Sequence, residues 1–112
     1  MATLRELSDG IAAAIAAAAG SVVTVRGRRR PGTGIAWSED HVVTASHVVQ
    51  RDEGLVVVLP DGHERAARLV GRDPSTDLAV LKVVDAGLSP AVWSGHDVAV
   101  GTLVFPLGRV QG

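Results

Sequence analysis

Gly32-Thr33-Gly34-Ile35-Ala36-Trp37-Ser38-Glu39-Asp40-His41-Val42-Val43-Thr44-Ala45-Ser46-His47-Val48-Val49 is the stretch whose reading decides the fold. Two short apolar runs, Ile35 to Trp37 and Val42 to Thr44, flank the polar Ser38-Glu39-Asp40, which is the pattern of a β-hairpin. His47 follows the second run. A histidine in a turn at a strand end is held by a rigid scaffold yet can face a cleft, the setting in which general bases are found.

Toward the N-terminus, Ser21 to Arg26 alternates enough to predict a first strand, and Arg28-Arg29-Arg30 with Pro31-Gly32 predicts the turn that joins it to the hairpin. Before it, Leu4, Leu7, Ile11 and Ile15 fall on one face at helical spacing among alanines, so 1–20 reads as a helix that Gly20 ends. The apolar run Ile11 to Ala19 is too short to span a bilayer. It also makes a poor signal peptide, because Arg5 is set against Glu6 and Asp9 where a positive leader is needed.

Toward the C-terminus, Leu55 to Leu59 is continuously apolar and predicts a strand buried on both faces. Asp61-Gly62 signals a two-residue hairpin turn, after which Glu64 to Gly71 alternates charged and apolar residues as a half-exposed strand does. Leu78 to Val84, apolar except for Lys82, reads as a central strand. Residues 85–101 hold Gly87, Pro90, Gly95 and Gly101 and read as a linker, and Thr102 to Phe105 as one further strand stopped by Pro106. Six short strands with tight turns between Val22 and Val84 predict an all-β fold, a small six-stranded antiparallel barrel preceded by a helix.

A chain of 112 residues supports one core, burying about two-thirds of its unfolded surface. Its 19 valines all follow Gly20, which favours strands over helices there. The net charge of -1 gives no field to gather nucleic acid or an anionic membrane, and the arginine cluster carries no interleaved aromatics that would stack on bases. With no cysteine there is neither a disulfide framework nor a thiolate metal site. His41, His63 and His96 form no zinc spacing and read as surface histidines, while Trp37 and Trp93 read as core or packing residues. No metal and no cofactor is expected.

Thr44-Ala45-Ser46-His47-Val48-Val49 resembles the Thr-Ala-x-His segment of trypsin-like serine proteases, and the Gly-Thr-Gly hairpin before it narrows the resemblance to the HtrA/DegP-type branch. That branch continues with a strand, Asp-Gly, a long strand and Asp-x-x-x-Asp-Leu-Ala-Val-Leu. Here these are Leu55 to Leu59, Asp61-Gly62, His63 to Gly71, and Asp73-Pro74-Ser75-Thr76-Asp77-Leu78-Ala79-Val80-Leu81. The resemblance covers roughly Ser21 to Gly108. It implies a fold in which two six-stranded barrels meet at a cleft, with 21–85 as the first barrel and 86–112 as the linker and opening strand of the second.

The resemblance also implies chemistry. His47 matches the general base, which takes the proton of a serine hydroxyl, and a carboxylate fixes its tautomer. Asp73 and Asp77 are the nearby candidates: Asp73 sits before a proline in a turn composition, whereas Asp77 abuts the apolar run from Leu78, which predicts a partly buried carboxylate in need of a partner. The family motif places the catalytic residue at Asp77. The nucleophile follows the aspartate in this pattern, and only Ser89 and Ser94 follow Asp77, neither in a Gly-x-Ser-Gly-Gly setting. Two departures from the pattern are Ser46, where relatives often carry alanine or asparagine, and Pro106-Leu107-Gly108-Arg109 in place of Gly-Asn-Pro.

The function implied is that of the N-terminal half of an HtrA-like serine endopeptidase acting on unfolded polypeptides, with the serine and the oxyanion hole supplied by a C-terminal half. Taken alone, His47 also fits a turn histidine bonded to a carboxylate for structure only. The alternative function is a non-catalytic protein-binding barrel. Family members often assemble as homo-oligomers through N-terminal segments and are mostly extracytoplasmic. The sequence itself leaves the assembly and the localisation open, a cytoplasmic site included.

Overall fold

The computed structural model describes residues 3–27, 31–49, 54–92 and 107–108. Helix α1 (Leu4–Ala19) comes first, then β1 (Val22–Arg26), β2 (Gly32–Ala36), β3 (His41–Ala45), a 3-10 turn (Ser46–Val48), β4 (Leu55–Val58), β5 (Glu64–Asp73) and β6 (Leu78–Val83). The six strands close into an antiparallel barrel in the order β1-β2-β3-β6-β5-β4. The expected all-β barrel with an N-terminal helix is therefore what forms.

Alternation decides which side chains fill it. Val42 and Thr44 of β3, Ala79, Leu81 and Val83 of β6, Val23 and Val25 of β1, and Leu55 and Val57 of β4 are all buried. A barrel of only six strands encloses a narrow interior, which valines, small residues, Leu55 and Leu81 suffice to fill. Gly34 belongs to this interior by necessity, because a Cβ there would lie 2.5 Å from Val42 Cγ1 and 2.9 Å from Val25 Cγ2. That is the physical reason for the second glycine of Gly-Thr-Gly.

Several expectations need correction. Leu55 to Leu59 is not buried on both faces: Leu55, Val57 and Leu59 are buried while Val56 and Val58 are half-buried, the ordinary pattern of a barrel strand. Trp37 is not a core residue but 57% exposed. Gly34 and Ala36 face inward, and a strand alternates, so Ile35 and Trp37 point out. The β4–β5 connection is a three-residue turn over Pro60-Asp61-Gly62, closed by the Leu59 N–H donating to the His63 carbonyl at 2.8 Å and the Gly62 N–H to the Leu59 carbonyl at 2.9 Å. Pro60 presets the turn and Gly62 takes φ 92, the left-handed region where glycine is unstrained.

Helix α1 is capped by Thr3, whose hydroxyl accepts the Glu6 N–H at 3.1 Å, yet it contributes no buried residue, and Leu4 and Leu7 are exposed. Gly20 follows it in right-handed helical geometry, so this glycine ends the helix without a left-handed cap. Beyond β6, Leu88 is buried, its N–H donates to the Glu39 carbonyl at 2.9 Å, and the Ala91 N–H donates to the Ala36 carbonyl at 2.9 Å. Barrel packing thus reaches past residue 85. The strand expected at Thr102 to Phe105, together with Trp93, Ser94 and His96, lies outside the described residues.

Candidate active site

Strand β3 runs antiparallel to β6 with Ala45 opposite Leu78, so the end of β3 and the start of β6 lie side by side. Sequence positions thirty apart meet there. The Ser46 N–H donates to the Asp77 carbonyl at 2.9 Å, and the His47 N–H donates to Asp77 Oδ1 at 2.9 Å. The second carboxylate oxygen, Oδ2, lies 2.5 Å from His47 Nδ1. A carboxylate only accepts, so Nδ1 carries the proton and Nε2 is left as the free ring nitrogen.

The clamp fixes more than a contact. Both oxygens of Asp77 are used on one residue, which sets the orientation of the imidazole as well as its tautomer. Asp77 itself has φ 57, in the left-handed region that aspartate tolerates better than most residues. Its carboxyl is held below the ordinary aspartate range, first by the His47 ring hydrogen bond and then by the His47 backbone N–H. Asp77 is less covered than its neighbour Leu78 suggested: its side chain is 49% exposed and that of His47 74% exposed. Leu78 is itself 50% exposed, which explains the difference, since the apolar residue that was to shield Asp77 points outward.

Asp73, the other candidate, does not approach His47. It closes the turn, its Oδ1 accepting the Ser75 N–H at 3.0 Å and the Ser75 hydroxyl at 2.6 Å. Two further histidines have carboxylate partners. His63 lies against Asp61, its N–H donating to Oδ1 at 2.9 Å and its Nδ1 2.8 Å from Oδ2. His41 Nδ1 lies 2.7 Å from Asp40 Oδ1 and 3.0 Å from Ser38 Oγ, and Lys82 Nζ lies 3.9 Å from Asp40 Oδ2. Among the described residues, no three carboxylates or histidines are grouped to hold a metal, and no helix is long and apolar enough to cross a membrane. Ser89 is exposed.

Sequence reasoning did not identify Ser46 as part of this site. Its contribution is a backbone N–H, and side-chain chemistry leaves no signal of that. On the outer barrel surface beside Leu78, Trp37, His41, Val43 and Val80 border an apolar groove of about 680 Å³.

Comparison with known proteins meets this geometry. The trypsin-like peptidase domain family matches residues 32–112, which includes both members of the clamp. The chain belongs to the trypsin-like peptidase family. Within this family it is similar to a probable periplasmic serine endoprotease, DegP-like, of Halomonas elongata, 44% identical over 88 residues that make up 76% of this chain and 18% of that protein. A protein of the same description from Rhizobium meliloti is 42% identical over 92 residues, again 18% of its length. These relatives put the trypsin-like chain in the HtrA/DegP branch.

Solved structures agree. The inactive form of the Rv3671c protease superposes with a TM-score of 0.72 at 33% identity, covering 78% of this chain and 44% of that one. The serine endoprotease from Yersinia pestis gives 0.60 at 35% identity, covering 67% and 30%. This trypsin-like chain therefore spans less than half of each structure and 18% of each of these relatives.

Proposed function

We propose that this chain provides the general base and its orienting carboxylate for an HtrA-like serine endopeptidase that hydrolyses unfolded polypeptides. The observation that carries the reading is the two-point clamp of Asp77 on the His47 N–H and Nδ1. With Nδ1–H bound to Asp77, His47 Nε2 is free to take a proton from a serine hydroxyl as the oxygen attacks the scissile carbonyl. The same nitrogen then returns the proton to the leaving amine, and Asp77 stabilises the imidazolium in between.

Neither Ser89 nor Ser94 lies in a Gly-x-Ser-Gly-Gly segment. The proposal is accordingly that the nucleophile and the oxyanion donors come from polypeptide outside this sequence, from a second barrel that 86–112 leads into. Without them the barrier stays high, since loss of one oxyanion donor costs about 100- to 1000-fold and loss of the nucleophile removes most of the rest.

The test is casein cleavage. The expected result is that the full-length gene product cleaves casein and is blocked by a serine-directed fluorophosphonate, while the purified chain of 112 residues does not cleave it. Cleavage by the purified chain would move the nucleophile to Ser89 or Ser94. A folded, inactive full-length product would favour the second reading, a protein-binding barrel, for which the groove bordered by Trp37, Val43 and Val80 is the supporting observation.

A further inference from the structure

The β5–β6 turn connects Asp73 to Leu78, which face each other across the two strands. Its four residues, Pro74 to Asp77, must deliver Asp77 in an unusual backbone conformation, φ 57. Aspartate tolerates that region better than most residues, but local hydrogen bonds with its surroundings still decide whether it stays there. On one side the surroundings are Ser46 and His47. On the other side they trace back to a single residue.

Asp73 accepts four hydrogen bonds within this turn. Its Oδ1 takes the Ser75 N–H at 3.0 Å and the Ser75 hydroxyl at 2.6 Å, and its carbonyl takes the Thr76 N–H at 3.3 Å and the Thr76 hydroxyl at 3.3 Å. The next turn is closed by the Asp77 N–H donating to the Pro74 carbonyl at 3.3 Å. The backbone bonds are long and weak individually, whereas the short bonds to the ionised Oδ1 are the strong ones. An aspartate side chain has only one carbon between Cα and its carboxyl, so the direction in which Asp77 presents its oxygens follows from its backbone.

We propose that Asp73 is a positioning residue for the catalytic pair: its carboxylate builds the turn that holds Asp77 in the left-handed conformation from which both oxygens reach His47. Asp73 touches neither the imidazole nor any reacting atom. It acts through Asp77, and what it controls is which ring nitrogen of His47 carries the proton. The inference rests on the reading of His47 and Asp77 as base and orienter.

The tautomer is the readout, followed from the ring nitrogen chemical shifts of the uniformly ¹⁵N-labelled chain at a pH where the histidines are neutral. In the unsubstituted protein His47 is expected in the Nδ1–H form, and Asp77→Asn is expected to abolish that preference. Asp73→Ala is expected to return His47 to the Nε2–H form that free histidine favours, while His63, bonded to its own Asp61, does not change. Asp73→Asn is expected to restore the Nδ1–H form, because an amide oxygen accepts the same two Ser75 bonds. If the alanine variant does not fold, Asp73→Ser takes its place and is expected to give a mixed tautomer, since a hydroxyl accepts more weakly. An undiminished Nδ1–H form in whichever of these two variants folds overturns the role of Asp73. A His47 that is Nε2–H in the unsubstituted protein, or indifferent to Asp77→Asn, overturns the base–orienter reading itself.

Discussion

Two histidine–aspartate pairs in this barrel have almost the same chemistry and different origins. In both, one carboxylate oxygen accepts the histidine backbone N–H at 2.9 Å and the other approaches Nδ1, at 2.5 Å for His47–Asp77 and 2.8 Å for His63–Asp61. In both, the aspartate carboxyl is held below its ordinary range chiefly by the histidine ring hydrogen bond. Yet Asp61 and His63 are two residues apart in one turn, while Asp77 and His47 are thirty apart and meet only because β3 pairs with β6. A local pair needs only a turn; the long-range pair needs the closed barrel. A histidine–carboxylate contact by itself therefore identifies no active site.

Activity should separate the pairs most sharply. In the full-length gene product, His47→Ala is expected to lower kcat on casein by roughly a million-fold, as loss of a triad base does, whereas His63→Ala leaves it unchanged. Rates measured for the two variants side by side check this. A large loss in both would mean that the turn pair also serves catalysis.

The next effect is on stability. Gly34→Ala places a Cβ against Val42 and Val25, and overpacking of this kind costs about 1–3 kcal/mol. Thermal melts should show a lower Tm by about 4–8 °C for each kcal/mol lost. Val42 lies on the strand that leads into His47, so the ring nitrogen shifts of His47 should respond while those of His63 do not.

The smallest effect is on acid sensitivity, and here the two pairs should look alike. Because the folded carboxyls of Asp77 and Asp61 titrate below their unfolded value, each contributes stability that is complete above about pH 4 and lost as the pH falls through the lower folded value. Denaturant melts between pH 2 and pH 5, ranges set by ordinary carboxylate titration at about pH 4, should therefore show a shallower loss for Asp77→Asn and for Asp61→Asn alike. A change in only one variant would show that the pairs differ electrostatically as well as in origin.

The sequence made the barrel legible where alternation and turn chemistry agreed. Val42 and Thr44 point inward as their spacing requires, and the Ser38–Asp40 turn lies where polar residues interrupt two apolar runs. It misled where hydrophobicity alone was used. Trp37 is large and apolar but follows β2 in its outward phase, and the small Gly34 and Ala36 held the signal, being what fits inside. Val56 and Val58 are valines on an outer face, so an unbroken apolar run did not mean two-sided burial. At the site, the choice of Asp77 over Asp73 could be argued from neighbours and motif, but those neighbours overstated how far Leu78 covers the carboxylate, which is 49% exposed. The left-handed backbone of Asp77 and the Ser46 N–H are properties of the assembled turn, invisible in residue types.

The measurement closest to the central claim sets the two carboxylates against each other, as kcat/KM for a peptide substrate in the full-length gene product. Asp77→Asn, which offers Nδ1 no anionic partner, is expected to lower it by about 10,000-fold, the scale seen when a triad aspartate is lost, and Asp61→Asn to leave it unchanged. Equal effects from the two substitutions, or full activity in Asp77→Asn, would contradict the assignment of His47 and Asp77 as base and orienter.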